Sequence, residues 1–347
     1  MSSTLFRHSF LSFLSLLTFA SSVRIYVYIY ISFTMKFSIV TVTAFSALVS
    51  AAPTAPSATA TPTDPDQPDA SALPIYEEPE AANLTLSILA TDAPFGIKKG
   101  LAYNNGGITG LFSRPGSATW AYNWGAAQNA PKFQQIPMCW GLRGDCDANG
   151  INAKISAGDT PWVLGYNEPD VDRGHGGCNA SPRQAYDAWG SDMFRFANRG
   201  VKLVCPAISS WDTNNGHTGG PSGLTWLRQF ASIGNNPAQF RCDAQALHWY
   251  GENGKSGRDQ AALFISYVER AHRTVNEIFR REMDLWITEF APLPVQNPQI
   301  MADFLDVAIP WLDRTGYVAR YSPFMAEHMV SGSSLNVAGL MFVNRKG

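Results

Sequence analysis

From Lys98 onward the chain alternates short runs of β-formers with longer stretches in which apolar residues recur every three and four positions. The strand-like runs are Gly100 to Asn104, Thr119 to Trp124, Phe133 to Trp140, Trp162 to Tyr166, Lys202 to Ile208, Ala244 to Tyr250, Asp284 to Thr288 and Val318 to Phe324. The helical spacing is clearest over Pro182 to Asn198, Ser222 to Ile233, Asp259 to Arg281 and Pro298 to Asp313. Strands that alternate with helices of this length predict a parallel sheet wrapped by helices. Eight such strands predict a single α/β domain, a (β/α)8 TIM barrel over residues 96–347, since roughly 250 residues is the usual size of that fold. Two features fit less well. The first two connections are short for βα units, and the chain stops at Asn344-Arg345-Lys346-Gly347 with no obvious final helix, as a domain truncated at its C-terminus would.

The pattern before residue 96 is different. Met35 to Ala51 has the form of a secretory signal: Lys36, then the apolar stretch Phe37 to Val49, then the small-residue site Val49-Ser50-Ala51. Residues 1–34 carry a second apolar stretch broken by Arg7, His8 and Arg24. We read it as an upstream extension of the gene model; the rival reading is an apolar anchor approaching membrane-spanning length. Residues 52–95, rich in Ala, Pro, Thr and Asp, hold too few large apolar side chains to offset their ordering entropy and are expected to form a disordered linker. Asn83-Leu84-Thr85 is a glycosylation sequon, and Asn179-Ala180-Ser181 is a poorer one because Pro182 follows. The expectation is a secreted glycoprotein of the extracellular space or cell wall.

Composition narrows the function. A formal charge of −2 gives no basic excess able to neutralise phosphates, which argues against nucleic acid as a partner and against anionic membranes. Ten Trp exceed what packing alone requires and hint at a sugar cleft. Five Cys in a secreted chain allow at most two disulfides. The strand and loop assignments permit Cys205 with Cys242 and Cys146 with Cys178, without fixing the connectivity. His175, His217 and His328 lack paired spacing and read as surface or loop residues, and no cysteine spacing fits a zinc site, so no metal and no cofactor are expected. Neither is an obligate protein partner; a monomer is the expectation.

The chemistry lies at the strand ends. LAYNN, WAYNWG, MCWG, VLGYNEPD, PAISSW, LHWYG and LWITEFA each close an apolar run with a polar or aromatic cluster, and a barrel builds its active site from the C-terminal ends of its strands. Glu168 falls where the fourth strand opens into its loop, and Glu289 ends the seventh, 121 residues later. Either alone is as readily a salt-bridged strand-end residue. Together they supply the acid and the nucleophile of glycoside hydrolysis, which for retention stand about 5 to 5.5 Å apart. Tyr103, Tyr122, Trp124, Trp140 and Trp211 lie at or just past strand ends, where flat rings can stack on sugars. Asn104 is a candidate sugar donor, and Trp226, Trp286 and Trp311 read as packing residues. His248 and Tyr250 share one face of the sixth strand. By itself such a pair is more often a core hydrogen bond, but beside two carboxylates it becomes a candidate for the site.

The segments KKGLAYNN, WAYNWG, VLGYNEPD, CPAISS with WLRQF, ALHWYG and LWITEFA resemble glycoside hydrolase family 128, the catalytic domain of fungal alkali-sensitive-linkage-like proteins, over about residues 98 to 325. The resemblance implies a barrel with Asn-Glu ending strand four and the nucleophilic Glu ending strand seven, and retaining hydrolysis of β-1,3-glucan. It makes Glu168 the acid/base and Glu289 the nucleophile of an endo-β-1,3-glucanase. It also puts Asn167 on the sugar 2-hydroxyl and the Tyr250 hydroxyl on the Glu289 carboxylate. Two rival expectations remain: a non-catalytic glucan-binding or wall-structural protein on the same barrel, and a retaining hydrolase of another β-glycan.

Overall fold

The computed structural model describes residues 98–127 and 129–346; the signal, linker and N-terminal readings, with the Asn83 sequon, lie outside the described residues. Among the described residues no helix is long and apolar enough to cross a membrane.

The fold is mixed α/β with two parallel sheets. Strands β1 (Gly100–Ala102), β2 (Trp120–Tyr122) and β3 (Gln134–Gln135) pair in that order. Strands β4 (Trp162–Leu164), β5 (Lys202–Ile208), β6 (Ala244–Tyr250), β7 (Asp284–Ala291) and β8 (Val318–Tyr321) form a curled five-stranded sheet, also in chain order. Two isolated parallel bridges connect the sheets, Lys99 with Tyr321 at one seam and Met138 with Leu164 at the other. The strands are buried almost throughout, as a sheet covered on both faces requires.

All four helices expected from the apolar spacing are present within a few residues of their predicted bounds. After α1 (Gly106–Thr109) and α2 (Ala148–Ser156) come α3 (Pro182–Ala197), α4 (Gly223–Ser232), α5 (Gly257–Phe279) and α6 (Pro298–Arg314). Their starts are encoded locally. Ser181 and Gln184 form a capping box with Pro182 at the first helical position, Ser256 caps α5, and Asn297 caps α6 ahead of Pro298.

Several sequence expectations need correction. The third run, Phe133 to Trp140, is a strand only at Gln134–Gln135 and continues as a single bridge at Met138, because Pro137 interrupts it. The first, second, fourth and eighth strands are likewise shorter than read, whereas β7 runs on to Ala291, so Glu289 lies inside a strand instead of beyond its end. A hairpin, β9 (Val330–Ser331) with β10 (Ser334–Leu335), and a final helix, α7 (Val337–Asn344), follow where none was expected. The helix escaped notice because VAGLMFVN is apolar nearly all round and shows no amphipathic face. The disulfides are Cys139–Cys146 and Cys205–Cys242, and Cys178 is a buried free thiol. The loop after β3 folds back so that the Cα atoms of Cys139 and Cys146 come within 4.4 Å, and this closes off the Cys146–Cys178 pairing.

Helix α7 is tied to the first strand by a buried cation. The Lys99 ammonium donates to the Phe342 carbonyl at 3.2 Å and to that of Arg345, satisfying carbonyls at the end of α7 that have no partner within the helix. Burial lowers the Lys99 pKa to about 8. Lys99→Met is expected to leave those carbonyls without a donor and to lower stability by about 2 kcal/mol, read as a fall in the urea midpoint with an unchanged m-value.

Candidate active site

Glu168 sits on a sharp turn beyond β4. Its φ is 41°, in the left-handed region that a bulky residue preceding proline rarely adopts. Hydrogen bonds hold it there: its N–H donates to the Ala207 carbonyl at 2.9 Å, and its carbonyl accepts from Val171 N–H at 3.0 Å. The returning loop packs beneath at Gly177, where a Cβ would meet the Val171 and Glu168 carbonyl oxygens at 2.2 and 2.5 Å. Backbone held this far from its preferred conformation commonly marks a functional position.

Glu289 reaches the same place through an irregularity in β7. Leu247 pairs with Ile287 but His248 pairs with Glu289, so Thr288 is an extra residue opposite β6, a β-bulge. The bulge sets His248 beside Glu289 and frees Thr288 for two contacts. Its carbonyl accepts from the Tyr122 hydroxyl at 2.5 Å, and its hydroxyl pairs with His248 Nε2 at 2.7 Å.

His248 links the two acids. Its Nδ1 lies 2.7 Å from Glu168 Oε1 and 3.6 Å from Glu289 Oε2, and one oxygen of each carboxyl and one imidazole nitrogen lie within 4.8 Å of one another. All three side chains are essentially excluded from solvent. Burial lowers the His248 pKa, against the fields of Glu289 and Asp170, which raise it. A ring that donates from Nδ1 to Glu168 accepts at Nε2 from the Thr288 hydroxyl.

The carboxyls differ in their surroundings. Burial, reinforced by the neighbouring charge of Asp170, pushes Glu168 well above the usual carboxyl range. Burial also raises Glu289, to about 7. The field of His248 holds it down, Glu168 pushes it up, and the hydrogen bonds from Tyr250 and Trp124 lower it. The Tyr250 hydroxyl donates to Glu289 Oε2 at 2.6 Å and the Trp124 indole N–H donates to Oε1 at 2.7 Å. Burial, with Glu289 nearby, keeps Tyr250 protonated and therefore a donor. The surroundings thus favour the proton on Glu168, while the donors around Glu289 favour its ionised form.

The other expected site residues divide. Asn167 donates from its amide to the Gly176 carbonyl at 3.2 Å, leaving a buried Oδ1 with no protein partner, an acceptor suited to a hydroxyl. Trp124 and Tyr122 belong to the site, but as buried donors and not as stacking platforms: the indole N–H is spent on Glu289 and the phenol on Thr288. Tyr103 is buried with its hydroxyl accepting from Asn129 N–H at 3.0 Å, and Trp140 lies buried under the Arg173 guanidinium. Neither makes a direct contact with the carboxyl pair. Asn104 is half-buried and is held through its backbone N–H by Glu327 at 2.9 Å. Trp211 alone among the expected platforms is exposed, at 38%. Trp226, Trp286 and Trp311 pack in or against the core as expected.

Sequence reading missed four residues. Asp170, in the same motif as Glu168, is fully buried and accepts from Ser209 N–H at 3.0 Å and Gly223 N–H at 2.7 Å, anchoring the loop after β5 to the turn that carries Glu168. Its place two residues after Glu168 was the available signal. Thr288 and Glu327 carried none, since their roles come from the bulge and from a loop 223 residues away from Asn104. Asp172 joins His175 and His217, which sequence spacing left unrelated: an atom from each of the three lies within 4.8 Å of the others. This group and the Glu168, His248, Glu289 set are the described constellations with the geometry to hold a metal ion.

A family model described as glycosyl hydrolase catalytic core matches residues 100–345. No curated protein is significantly similar in sequence. Among solved structures, the chain is similar to a family 128, subgroup III, curdlan-specific exo-β-1,3-glucanase from Blastomyces gilchristii in complex with glucose. They share 29% identity over 72% of this chain and 98% of that one, with a TM-score of 0.58. A subgroup I endo-β-1,3-glucanase from Amycolatopsis mediterranei in complex with laminaripentaose is 24% identical over 72% and 99%, with a TM-score of 0.55. A subgroup VII oligosaccharide-binding protein from Trichoderma gamsii is 18% identical over 71% and 92%, with a TM-score of 0.50. The motif resemblance to family 128 is borne out by these neighbours, and the chain belongs to the glycosyl hydrolase catalytic core family and is a glycoside hydrolase.

Proposed function

We propose that the protein is a retaining β-1,3-glucanase of a closed (β/α)8 barrel, with Glu168 as acid/base and Glu289 as nucleophile. The observation that carries this reading is the buried pair of carboxyls within 4.8 Å of each other, one held protonated and the other supplied with two donors. That spacing suits direct attack at the anomeric carbon, because an inverting pair stands about 6.5 to 9.5 Å apart to admit a water. The bridges at both seams support barrel closure. The substrate class rests on the neighbours, which act on curdlan or bind laminaripentaose.

The geometry orders the steps. Glu168 gives its proton to the departing glycosidic oxygen as Glu289 bonds to the anomeric carbon. The Asn167 Oδ1 accepts from the sugar 2-hydroxyl, a contact that strengthens as positive charge grows on the ring. Glu168, now a carboxylate, takes a proton from water, which attacks the glycosyl ester and releases Glu289. No cofactor enters these steps. Cleavage within the chain is the mode we favour; the exo-acting neighbour at 29% identity motivates the alternative of release from an end. The signal at Met35 supports secretion of a monomer into the cell-wall space.

Binding without hydrolysis, the activity named for the Trichoderma neighbour, requires no acid/nucleophile pair, and both acids are intact here. Glu168→Gln and Glu289→Gln are each expected to lower kcat on laminarin by about 10³-fold or more, with the folded CD spectrum retained. Unchanged turnover in Glu289→Gln supports the binding-only reading. NMR of the first products decides the stereochemistry: the β-anomer is expected, and the α-anomer excludes double displacement. The initial oligosaccharides from linear β-1,3-glucan distinguish a ladder from glucose alone, and β-1,4-glucan and mannan serve as controls for linkage.

The pH dependence follows from the two acids. Activity needs Glu289 ionised and Glu168 protonated, so the profile of kcat/KM is a bell whose acidic limb reports the ionisation of Glu289. Tyr250→Phe removes a donor to the charged form of Glu289, which raises its pKa. The acidic limb of kcat/KM is therefore expected to move up by about one pH unit, and an acidic limb that stays put excludes the Tyr250 contact as the tuning interaction.

A further inference from the structure

Close in sequence to the Glu168 turn, two loops bring a carboxylate and two imidazoles together. Asp172 lies in the loop after β4, His175 ends the short turn Arg173–His175 in the same loop, and His217 comes from the loop after β5. Asp172 Oδ2 is 2.8 Å from His175 Nδ1 and 3.9 Å from His217 Nδ1, and the two rings lie with centroids 4.3 Å apart. The other oxygen, Oδ1, accepts from Gly174 N–H at 2.7 Å, which fixes the carboxylate with Oδ2 toward the imidazoles. The neighbouring cation, Arg173, is turned onto Asp145 and over the Trp140 ring, and leaves the Asp172 charge to the two imidazoles.

Both loops are braced. The second is closed by the Thr213–Ser222 bridge and by Gly216 N–H donating to the Gly220 carbonyl at 2.7 Å. Buried Asp170 ties its two ends, at Ser209 and Gly223, to the turn that carries Glu168. The three side chains therefore converge on backbone set by other contacts, which is what a ligand site needs.

We propose that Asp172, His175 and His217 form a binding site for a divalent transition metal, zinc in the first instance, with water completing the coordination. Two imidazoles and a carboxylate suit zinc, and a tetrahedral site with bonds of about 2.0 to 2.2 Å sets its ligand atoms roughly 3.3 Å apart. The observed 2.8 and 3.9 Å bracket that spacing, and the three ligand atoms all lie within 4.8 Å of one another, so shifts of roughly half an ångström set Asp172 at the required distance from each imidazole. The ion takes the place of the proton between Asp172 and His175, and the neutral His175 ring carries its proton on Nε2 instead.

The effect falls on the rim of the cleft. The His217 ring lies 4.2 Å from the ring of Trp211, the only aromatic side chain among the described residues that is exposed. A metal that joins the β4 and β5 loops fixes His217, and so fixes the surface against which Trp211 rests. The link to glucan binding rests on the proposed function; the metal site does not.

The test is calorimetric titration of untagged, chelator-treated protein with zinc chloride, on the wild type, Glu289→Gln, and His175→Gln with His217→Gln combined. The wild type and Glu289→Gln are each expected to bind one equivalent, and the paired histidine variant to bind about tenfold more weakly or worse while keeping its CD spectrum. No saturable binding by the wild type up to about 1 mM zinc overturns the proposal. So does binding that is lost in Glu289→Gln and kept in the histidine variant, which assigns the metal to the catalytic acids. If the histidine variant does not fold, the cobalt-loaded wild type decides: two paramagnetically shifted imidazoles outside the catalytic centre are expected, and fewer than two overturn the site. None of these readings requires that the protein act on glucan.

Discussion

Two carboxyl groups buried within 4.8 Å of each other cannot both be charged, and the rest of the site follows from that constraint. Removing them from water favours the neutral form of each, and their mutual repulsion penalises a second charge. The protein resolves the conflict by giving the donors to one side. Glu289 receives the hydroxyl of Tyr250 and the indole of Trp124, whereas Glu168 faces the field of Asp170. The proton is thereby favoured on Glu168 and the charge on Glu289, the division that the proposed roles require. His248 between them holds the geometry, with Nδ1 2.7 Å from Glu168 and Nε2 2.7 Å from the Thr288 hydroxyl.

The same constraint explains the local irregularities of the backbone. A regular β7 would turn Glu289 one residue out of phase with His248. The extra residue, Thr288, restores the phase and supplies both an acceptor for Tyr122 and a partner for His248. On the opposite side the left-handed turn at Glu168 brings the acid in from a loop instead of a strand, held by the β5 backbone and by a glycine whose side chain would not fit. Regular strands alone do not place two long acidic side chains this close.

This also accounts for what could be read in the sequence. The four long helices were legible because each buries one apolar stripe and three of them start at a side-chain cap, and the strand ends because apolar runs break there into polar clusters. Glu168, Glu289, His248 and Tyr250 were found on that basis. The roles of Trp124 and Tyr122 were not, since a tryptophan at a strand end looks the same whether its face meets a sugar or its N–H meets a carboxylate. Only the packing decides, and both side chains here are fully buried. The final helix was hidden for the opposite reason: its exposed face carries Val337 and Leu340, so no polar face gives it a period.

Asp170 shows how position and chemistry are coupled in this fold. Its side chain accepts from two backbone N–H groups at either end of the loop after β5, and it stands two residues from Glu168. Its charge therefore acts on the proton of Glu168 while its hydrogen bonds set the loop that carries Trp211 and His217. A change in how that loop is held is transmitted through Asp170 to the electrostatics of the acid, and a change in the charge of Asp170 is transmitted to the loop. The Glu168 carboxyl and the loop that carries Trp211 share one buried carboxylate, so the sequence has little freedom at this position: asparagine keeps an acceptor and loses the field, glutamate keeps the charge and moves it by a methylene. That double duty makes Asp170 the residue through which the proposed metal site and the carboxyl pair are mechanically joined.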